Sequence, residues 1–358
     1  MDLRDLKNFK VFRNASLITV IAVYLLILVG GVVRSTGSGM GCPDWPKCFG
    51  SWVPPTNVDQ LPENYQEIYA NKRIEKNERF VSMLHSMGFH NKAQEIKNDK
   101  SILVEEEFNA TKTWIEYVNR LLGAIIGLLI IGTFLYSLPL WKLDRPLVIL
   151  SLFNIILVIF QGWIGSIVVS TNLLHWMITL HMVLALLLVC LLLYVHYRSY
   201  KLAYPVQPKT DRVNWLYAVL MISFVLTNIQ VVLGTQVREQ VDIVAAQFGN
   251  LFRSEWVGHL GDYFLVHRSF SIVLMLVHVL FIYGVYKHAY RNSNIFRWSQ
   301  ILVLMIVLEI VTGVGLSYFA LPAFLQPIHL AVGSLIVGLQ FVILLLLNDQ
   351  KRLVLKVK

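Results

Sequence analysis

Charged residues and cysteines are both scarce in this chain. Only 15% of the 358 residues are charged whereas 56% are hydrophobic, and this balance excludes an ordinary soluble domain. The three cysteines are Cys42, Cys48 and Cys190, too few for a typical cysteine-built metal site. Apolar runs of about 20 residues, enough to cross a hydrocarbon core of about 30 Å, predict eight transmembrane helices near 15–33, 117–139, 147–169, 177–197, 215–235, 264–286, 299–319 and 329–347.

The basic excess follows the membrane topology. A net charge of +9 would suggest nucleic acid as a partner in a soluble protein. Here the basic residues lie between alternate spans, for example at Lys142, Arg198 and Arg291, whereas the short turns near 170–176 and 320–328 have none. This asymmetry predicts that both termini are cytoplasmic and that no nucleic acid is bound. The first apolar run is too long for a typical signal peptide, so we expect a retained helix.

The two halves of the chain contain a matched pair of stretches, 161–182 and 309–330. In each, a helix end, a short uncharged turn and a histidine follow in the same order. Gly165 precedes His181 by 16 positions, and Gly313 precedes His329 by 16. The equal spacing favours a duplicated unit over coincidence.

Two further sequence matches between the halves lie upstream of these stretches. The pair Asn119-Arg120 opens one apolar helix and His267-Arg268 opens another. Gly30 and Arg34 end the first helix of one half at the same spacing as Gly234 and Arg238 in the other. We therefore predict an all-α integral membrane protein of two pseudo-symmetric four-helix bundles, covering residues 1–200 and 201–358.

A long outer loop, 34–113, separates the first two spans. Its glycine- and proline-rich start places Cys42 and Cys48 six residues apart on the oxidising side, which favours a disulfide over two free thiols and leaves a redox role open. Further along, apolar residues at helical spacing predict an amphipathic helix over the mouth of the bundle. These are Phe80, Met83, Leu84 and Met87, and the neighbouring His85 and His90 are expected to be solvated surface residues.

The second span opens with a polar face. Glu116, Asn119, Arg120 and Gly123 lie three or four residues apart and therefore share one side of the helix. A carboxylate inside a membrane often marks a functional site. The alternative is that Glu116 is solvated at the membrane boundary or paired with Arg120.

Histidines in alternate helices predict a cofactor site. His181, His267 and His329, with Asn119, are expected at similar depth in the outer leaflet because their helices all start at the outer face. His267 and His329 can face each other across a four-helix bundle, an arrangement suited to bis-imidazole ligation of haem iron. The alternative is hydrogen bonding to neighbouring helices. Arg268 and Arg238 could pair with the propionates, whereas His278 is expected to be a packed helix residue.

Several motifs together resemble the haem A synthase family. They are RSTGSGMGCPDWPKC at 34–48, EYVNRLLG at 116–123, the His267-Arg268 pair, and the outer-end His181 and His329. The resemblance covers nearly the whole chain. It implies an eight-helix enzyme of the bacterial inner membrane with two similar halves, which oxidises the C8 methyl group of haem O to a formyl group and so makes haem A for terminal oxidases.

The resemblance also implies roles for individual residues. His267 and His329 would ligate a haem b cofactor, His181 would face the substrate haem, and Glu116 would be the acidic residue near the reacting edge. The family pattern Glu-x-x-His here reads Glu116-x-x-Asn119, so the substrate haem would have His181 alone or borrow a second ligand. The remaining assignments by resemblance are Arg34, Asn119 and Arg120 beside the substrate, Arg238 and Arg268 beside haem b, and a Cys42–Cys48 pair.

Partners and alternative functions follow from this prediction. Electrons would pass between haem b and a membrane quinone or another electron partner, and the enzyme that makes haem O could deliver the substrate; a homo-oligomer is a further expectation. One alternative is a b-type cytochrome that only relays electrons. Another is a transporter built from parallel repeats, which the scarcity of charged residues in the spans disfavours.

Overall fold

The fold is built from helices alone in the part of the chain that the structure describes. That part of the computed structural model comprises residues 3–99, 102, 107–203 and 212–357. It contains ten α-helices, a few short 3-10 turns and no β-strand. The helices are α1 (Leu3–Ser35), α2 (Tyr65–Ser86), α3 (His90–Asn98), α4 (Ala110–Ser137), α5 (Arg145–Ser170), α6 (His175–Ala203), α7 (Val213–Gln247), α8 (Asp262–His288), α9 (Asn294–Tyr318) and α10 (Leu325–Val357).

Eight of these described helices, α1 and α4 to α10, are long and apolar enough to span a membrane. The prediction of eight spans in a multi-pass membrane protein is therefore confirmed. The helices extend beyond the apolar runs because polar caps satisfy their free backbone N–H groups. The side chains of Asn109, Asp144 and Ser293 each accept a hydrogen bond from the N–H three residues further on.

The fifth span is longer than its apolar run indicates. The sequence predicts a helix end near Arg238, but α7 continues to Gln247. The extension is stabilised because Val241 and Val244 pack with Trp256 and Leu321 in a small apolar cluster at the outer end. The extension carries three charged residues, Arg238, Glu239 and Asp242. The corrected helix end places these side chains on a helix instead of in a loop.

Helices pack in the same order within each half of the chain. In the first half α1 packs against α4 and α6, and α5 against α4 and α6. In the second half α7 packs against α8 and α10, and α9 against α8 and α10. The pseudo-two-fold relation and the boundary at residues 200 and 201 stay predictions, and the adjoining residues 204–211 lie outside the described residues.

α10 is the central helix of the assembly. It packs against α1 and α6 of the first half as well as α7 and α9 of its own half. Small residues allow the close approach to α1: a Cβ at Gly31 would lie 2.9 Å from the Cα of Pro327, and one at Gly338 would overlap the hydroxyl of Tyr24. α10 therefore joins the two halves through direct contacts with α1 at both of these glycines.

The amphipathic helix predicted in the outer loop is present as α2. Phe80 and Leu84 are buried in a cluster with Ile164 and Met177, which belong to the outer ends of α5 and α6. Met87 is exposed, because it lies just beyond the end of α2 rather than on its apolar face. Helices α2 and α3 thus form a cap over the first half.

Tyr69 of α2 connects the cap to the loop that follows α1. Burial and the nearby Asp44 raise the pKa of Tyr69 to about 12. The phenol is therefore neutral at physiological pH. It packs edge-on against Phe49 of the loop that contains Cys42 and Cys48, hereafter the cysteine loop. This contact ties α2 to the loop that follows α1.

Candidate functional site

Glu116 is buried at the outer end of α4, and both of its carboxylate oxygens are bonded. Oε2 accepts a hydrogen bond of 2.7 Å from the backbone N–H of Cys42. Oε1 forms an ion pair with Arg120, one turn further along the helix. The side chain is only 4% exposed, so the solvated alternative is excluded and the pairing alternative is present.

Arg120 holds the cysteine loop against α4. Its guanidinium donates to the backbone carbonyls of Cys42, Asp44 and Lys47 as well as to Glu116. The predicted Cys42–Cys48 disulfide is formed. A Cβ at Gly41 would lie 2.5 Å from the carbonyl oxygen of Lys112, so this glycine is required for the close approach of loop and helix. The loop and the buried carboxylate therefore form one rigid unit.

Three histidines face three glycines of the preceding helix in the same way. A Cβ added at Gly165 would lie 3.7 Å from Cε1 of His181, and one at Gly313 would lie 3.2 Å from Cε1 of His329. The equal spacing in the sequence thus corresponds to equivalent contacts. The third contact was not predicted: a Cβ at Gly234 would lie 3.4 Å from Cε1 of His267.

His267 and His329 lie on alternate helices of the second half, α8 and α10, and each faces a glycine of the preceding helix. Nδ1 of His329 lies 2.9 Å from the hydroxyl of Thr312, whereas Nδ1 of His267 is buried without a hydrogen-bond partner. The two imidazoles therefore occupy equivalent positions on α8 and α10, and their joint ligation of one haem stays a prediction.

Sequence reasoning missed a set of polar side chains one turn before each glycine. Gln161 and Gln230 each donate a hydrogen bond from Nε2, to the backbone carbonyls of His181 (3.1 Å) and His267 (2.9 Å). The third equivalent residue, Glu309, lies 3.3 Å from Nδ1 of His329. The signal was present in the sequence as a polar residue four positions before Gly165, Gly234 and Gly313.

The first half has no second histidine beside His181 among the residues described. Nδ1 of His181 and Oδ1 of Asn119 are both buried without a hydrogen-bond partner. His175 instead lies 3.4 Å from Glu239, and His196 bonds Ser16 near the inner end. Neither of these contacts involves His181.

Arg34 and Arg238 meet at one acidic residue where the halves join. Both pair with Asp242 on the unpredicted extension of α7. Arg238 also donates to the backbone carbonyl of Arg34 and to the side chain of Gln326. Each guanidinium nevertheless retains a buried Nε without a partner. The repeat-matched arginines thus meet where the two halves join, and their assignment to separate haem sites stays a prediction.

The other residues singled out from the sequence are placed apart from this site. Arg268 is exposed on α8. His278 is buried, donates to the carbonyl of Leu274 and contacts Gln340, as expected for a packed helix histidine. His85 and His90 lie on the exposed surface of the cap with their Nδ1 atoms 2.9 Å apart.

The residues present fit a haem group in the second half. Buried polar atoms without partners are rare in folded proteins, and the unpartnered Nδ1 of His267 and Nε of Arg238 lie on the helices that would border such a ligand. The donor set of two imidazoles and a guanidinium matches iron and propionate chemistry.

These features define a class: a multi-pass helical membrane protein with histidines near the same end of alternate helices. The chain belongs to the COX15-CtaA family of cytochrome oxidase assembly proteins, whose model matches residues 13–88 and 82–341.

Individual relatives are haem A synthases. The protein of Ehrlichia canis is 29% identical over 178 residues, which cover 48% of this chain and 44% of that relative. The chain therefore spans less than half the length of this relative in the alignment. The haem A synthase of Bartonella tribocorum is 22% identical over 91% of this chain and 88% of its own length, and that of Alkalihalophilus pseudofirmus is 24% identical over 87% and 88%.

Proposed function

We propose that this protein is a membrane oxidoreductase that converts haem O to haem A by oxidising the C8 methyl group to a formyl group. The observation that carries the proposal is the equivalent placement of His267 and His329 against Gly234 and Gly313 in a chain of the COX15-CtaA family. The anchored Glu116 beside the disulfide loop supports it, since a carboxylate buried in a membrane protein is expensive to retain without a role.

The second half would hold haem b. His267 and His329 are the candidate ligands. Arg238, whose buried Nε has no partner, is the candidate for a propionate, and the exposed Arg268 is a weaker one. When bound, haem b would supply one-electron chemistry that the amino acids lack. The protein would orient the ring and exclude water.

The first half would hold the substrate haem. His181 would face the iron, and Arg34 would contact a propionate through its free Nε. Asn119 cannot replace a histidine as an iron ligand, but its unpartnered Oδ1 can accept a hydrogen bond from a ligand or water. Glu116 would accept a proton as the methyl group is oxidised. Arg120 and the N–H of Cys42 would hold its carboxylate in place.

The setting follows from the same proposal. The protein would lie in the bacterial inner membrane with both termini in the cytoplasm, so that the histidines are near the outer surface. A membrane quinone or another electron partner would exchange electrons with the second half. The enzyme that makes haem O would be the source of the substrate.

One observation favours a second candidate function. Asn119 stands where the family pattern has histidine, and no other described histidine reaches His181. A b-type cytochrome that relays electrons through the second half alone would need no paired ligands in the first half. This candidate predicts bound haem B without conversion of haem O.

Extraction of the haems from purified protein tests the proposal. We expect haem B together with haem O or haem A from the wild type, and loss of haem B from His267→Ala. His259→Ala is the matched control, because His259 is exposed at the outer surface of the same half, and it should retain haem B. Haem B alone in the wild type would favour the cytochrome, and no haem at all would contradict both candidates.

A further inference from the structure

Glu309 is a second carboxylic acid inside the membrane-spanning region, and the proposed function does not use it. It lies on α9, nine residues before the outer end of the helix at Tyr318. Oε1 is 3.3 Å from Nδ1 of His329, and Oε2 is buried without a hydrogen-bond partner. A carboxyl group in the membrane interior is costly, so its position against one particular histidine needs a reason.

Comparison with the two equivalent positions shows what is different at Glu309. Gln161 and Gln230 use an amide N–H to bond the backbone carbonyls of His181 and His267. A carboxylate has no N–H and cannot repeat this contact. Its oxygens are acceptors, and Glu309 faces the imidazole of His329 instead of its backbone. Because position 309 has an acid instead of an amide, its partner is the imidazole ring of His329 rather than the backbone of that residue.

Thr312 and Glu309 both lie against Nδ1 of His329. The hydroxyl of Thr312 is 2.9 Å from the backbone carbonyl of Leu308 and 2.9 Å from Nδ1 of His329. Donation of its single proton to the carbonyl leaves the hydroxyl oxygen to accept from Nδ1. With the proton on Nδ1, the lone pair is on Nε2, and Thr312 and Glu309 are within acceptor distance of the same N–H.

Gly333 makes room for this arrangement. It lies one turn beyond His329 on α10, and a Cβ there would be only 3.2 Å from Oε1 of Glu309. In contrast, Nδ1 of His181 and of His267 has no partner. His329 alone among the three outer histidines therefore has two acceptors on Nδ1.

We propose that Glu309 is a positioning residue, which accepts a hydrogen bond from Nδ1 of His329 and thereby orients Nε2 and lowers the reduction potential of the haem bound there. The proposal rests on the haem b site proposed above. Acceptors on the distal nitrogen of a ligating histidine fix the ring and make the other nitrogen a stronger donor. A stronger donor stabilises ferric over ferrous iron, because the ferric ion carries the larger charge.

Glu309→Gln in the purified holoprotein is the first test. Glutamine restores the residue type of the other two positions and removes the acidic acceptor. We expect haem B to be retained and the ferric-to-ferrous equilibrium to move at least tenfold toward ferrous iron, about 59 mV for one electron. The electron paramagnetic resonance signal of the ferric form should also shift, since it reports the axial imidazoles. Glu255→Gln, which removes an exposed acid from the same half, should change neither quantity.

Glu309→Asp separates the position of the acceptor from its chemical type. Aspartate keeps the carboxyl group but withdraws it from Nδ1 by about one bond length. If the hydrogen bond positions His329, the resonance signal changes in both variants. A signal that changes in Glu309→Gln alone would show that the type of group matters and not its position, and would contradict the positioning role.

The remaining outcomes also decide the question. If Glu309→Gln loses haem B, a second variant, Thr312→Val, tests the proposal, because it removes the second acceptor with little change in shape. A shifted resonance signal in Thr312→Val supports the proposal, whereas an unchanged signal overturns it. An unchanged potential and signal in Glu309→Gln overturn the positioning role and leave the haem b site intact. A wild type without haem B overturns both.

Discussion

At the scale of single residues, the site is defined by what each polar side chain touches. Glu116 bonds Cys42 and Arg120, His329 bonds Thr312, and His181 retains a free Nδ1. Some of these partners are distant in the sequence and some are one turn away. The chemistry expected of each group therefore depends on its neighbours as much as on its own type.

The role of Glu116 is tested by Glu116→Gln. Glutamine can still accept the hydrogen bond from Cys42 but cannot take up a proton or pair with Arg120 as an anion. We expect formation of haem A to fall by about a hundredfold or more, since a general base contributes roughly 10² to 10⁴-fold, with haem B content unchanged. Chromatography of haems after reaction with haem O measures this. Unchanged product formation would remove Glu116 from the mechanism.

Asn119→His tests whether the first half lacks only one ligand. Oδ1 of Asn119 is buried and unpartnered, so an imidazole there would gain an iron partner without breaking a described hydrogen bond. We expect the haem of the first half to become six-coordinate and low-spin, seen in its absorption and resonance spectra. Asn109→His, at the N-cap of the same helix, is the control. Identical spectra for Asn119→His and wild type would mean that Asn119 does not face the iron.

At the scale of elements, the extension of α7 and the cysteine loop decide how the halves meet. The extension supplies Asp242, which bridges Arg34 of α1 and Arg238 of α7. The loop supplies the N–H and carbonyl groups that hold Glu116 and Arg120. Both elements lie at the outer ends of helices, where the predicted histidine site also lies.

Asp242→Asn should loosen the contact between the halves. The change leaves two neighbouring guanidinium groups without their shared counter-charge. Their side chains are 20% to 31% exposed, so we expect a loss of about 1 to 2 kcal/mol, below the 3 to 5 kcal/mol typical when a buried pair is broken. Thermal unfolding in detergent measures the loss. The exposed Asp262→Asn should have no effect, and equal stability of both variants would contradict a bridging role.

Removal of the disulfide should destabilise the cysteine loop. The bond closes a loop with a sequence separation of six, and the chain-entropy model gives about 2 kcal/mol for a loop of this size. We expect Cys42→Ser to make the segment after α1 more sensitive to protease, while Cys190→Ser, at the buried free cysteine, leaves it unchanged. Equal protease sensitivity of the two variants would show that the contacts of Arg120 suffice to hold the loop.

At the scale of the whole molecule, topology and central packing set the site in place. Eight described helices can span a membrane, and α10 packs against both halves. The basic residues between alternate spans predict which side each turn faces. The site between α7, α8, α9 and α10 would then open toward the outer surface.

Labelling of single cysteines tests this topology. Cys42 and Cys48 are paired and Cys190 is buried, so the background of labelling in intact cells should be low. We expect Ser254→Cys, in the exposed turn between α7 and α8, to react with a membrane-impermeant maleimide. Lys142→Cys, in the exposed turn between α4 and α5, should react only after lysis. The reverse pattern would contradict cytoplasmic termini.

The sequence by itself determined the eight spans, the disulfide pair and the matched spacing of Gly165 to His181 and of Gly313 to His329. Apolar length and repeat spacing are local properties of the sequence. In a helix they determine directly how far each residue lies along the axis and on which side of the helix it is. Only the tertiary structure decided that α7 extends to Asp242, that Arg34 and Arg238 share that carboxylate, and that Glu309 faces His329. Those contacts join residues from separate helices, and the packing angle between helices depends on all of their side chains rather than on any one stretch.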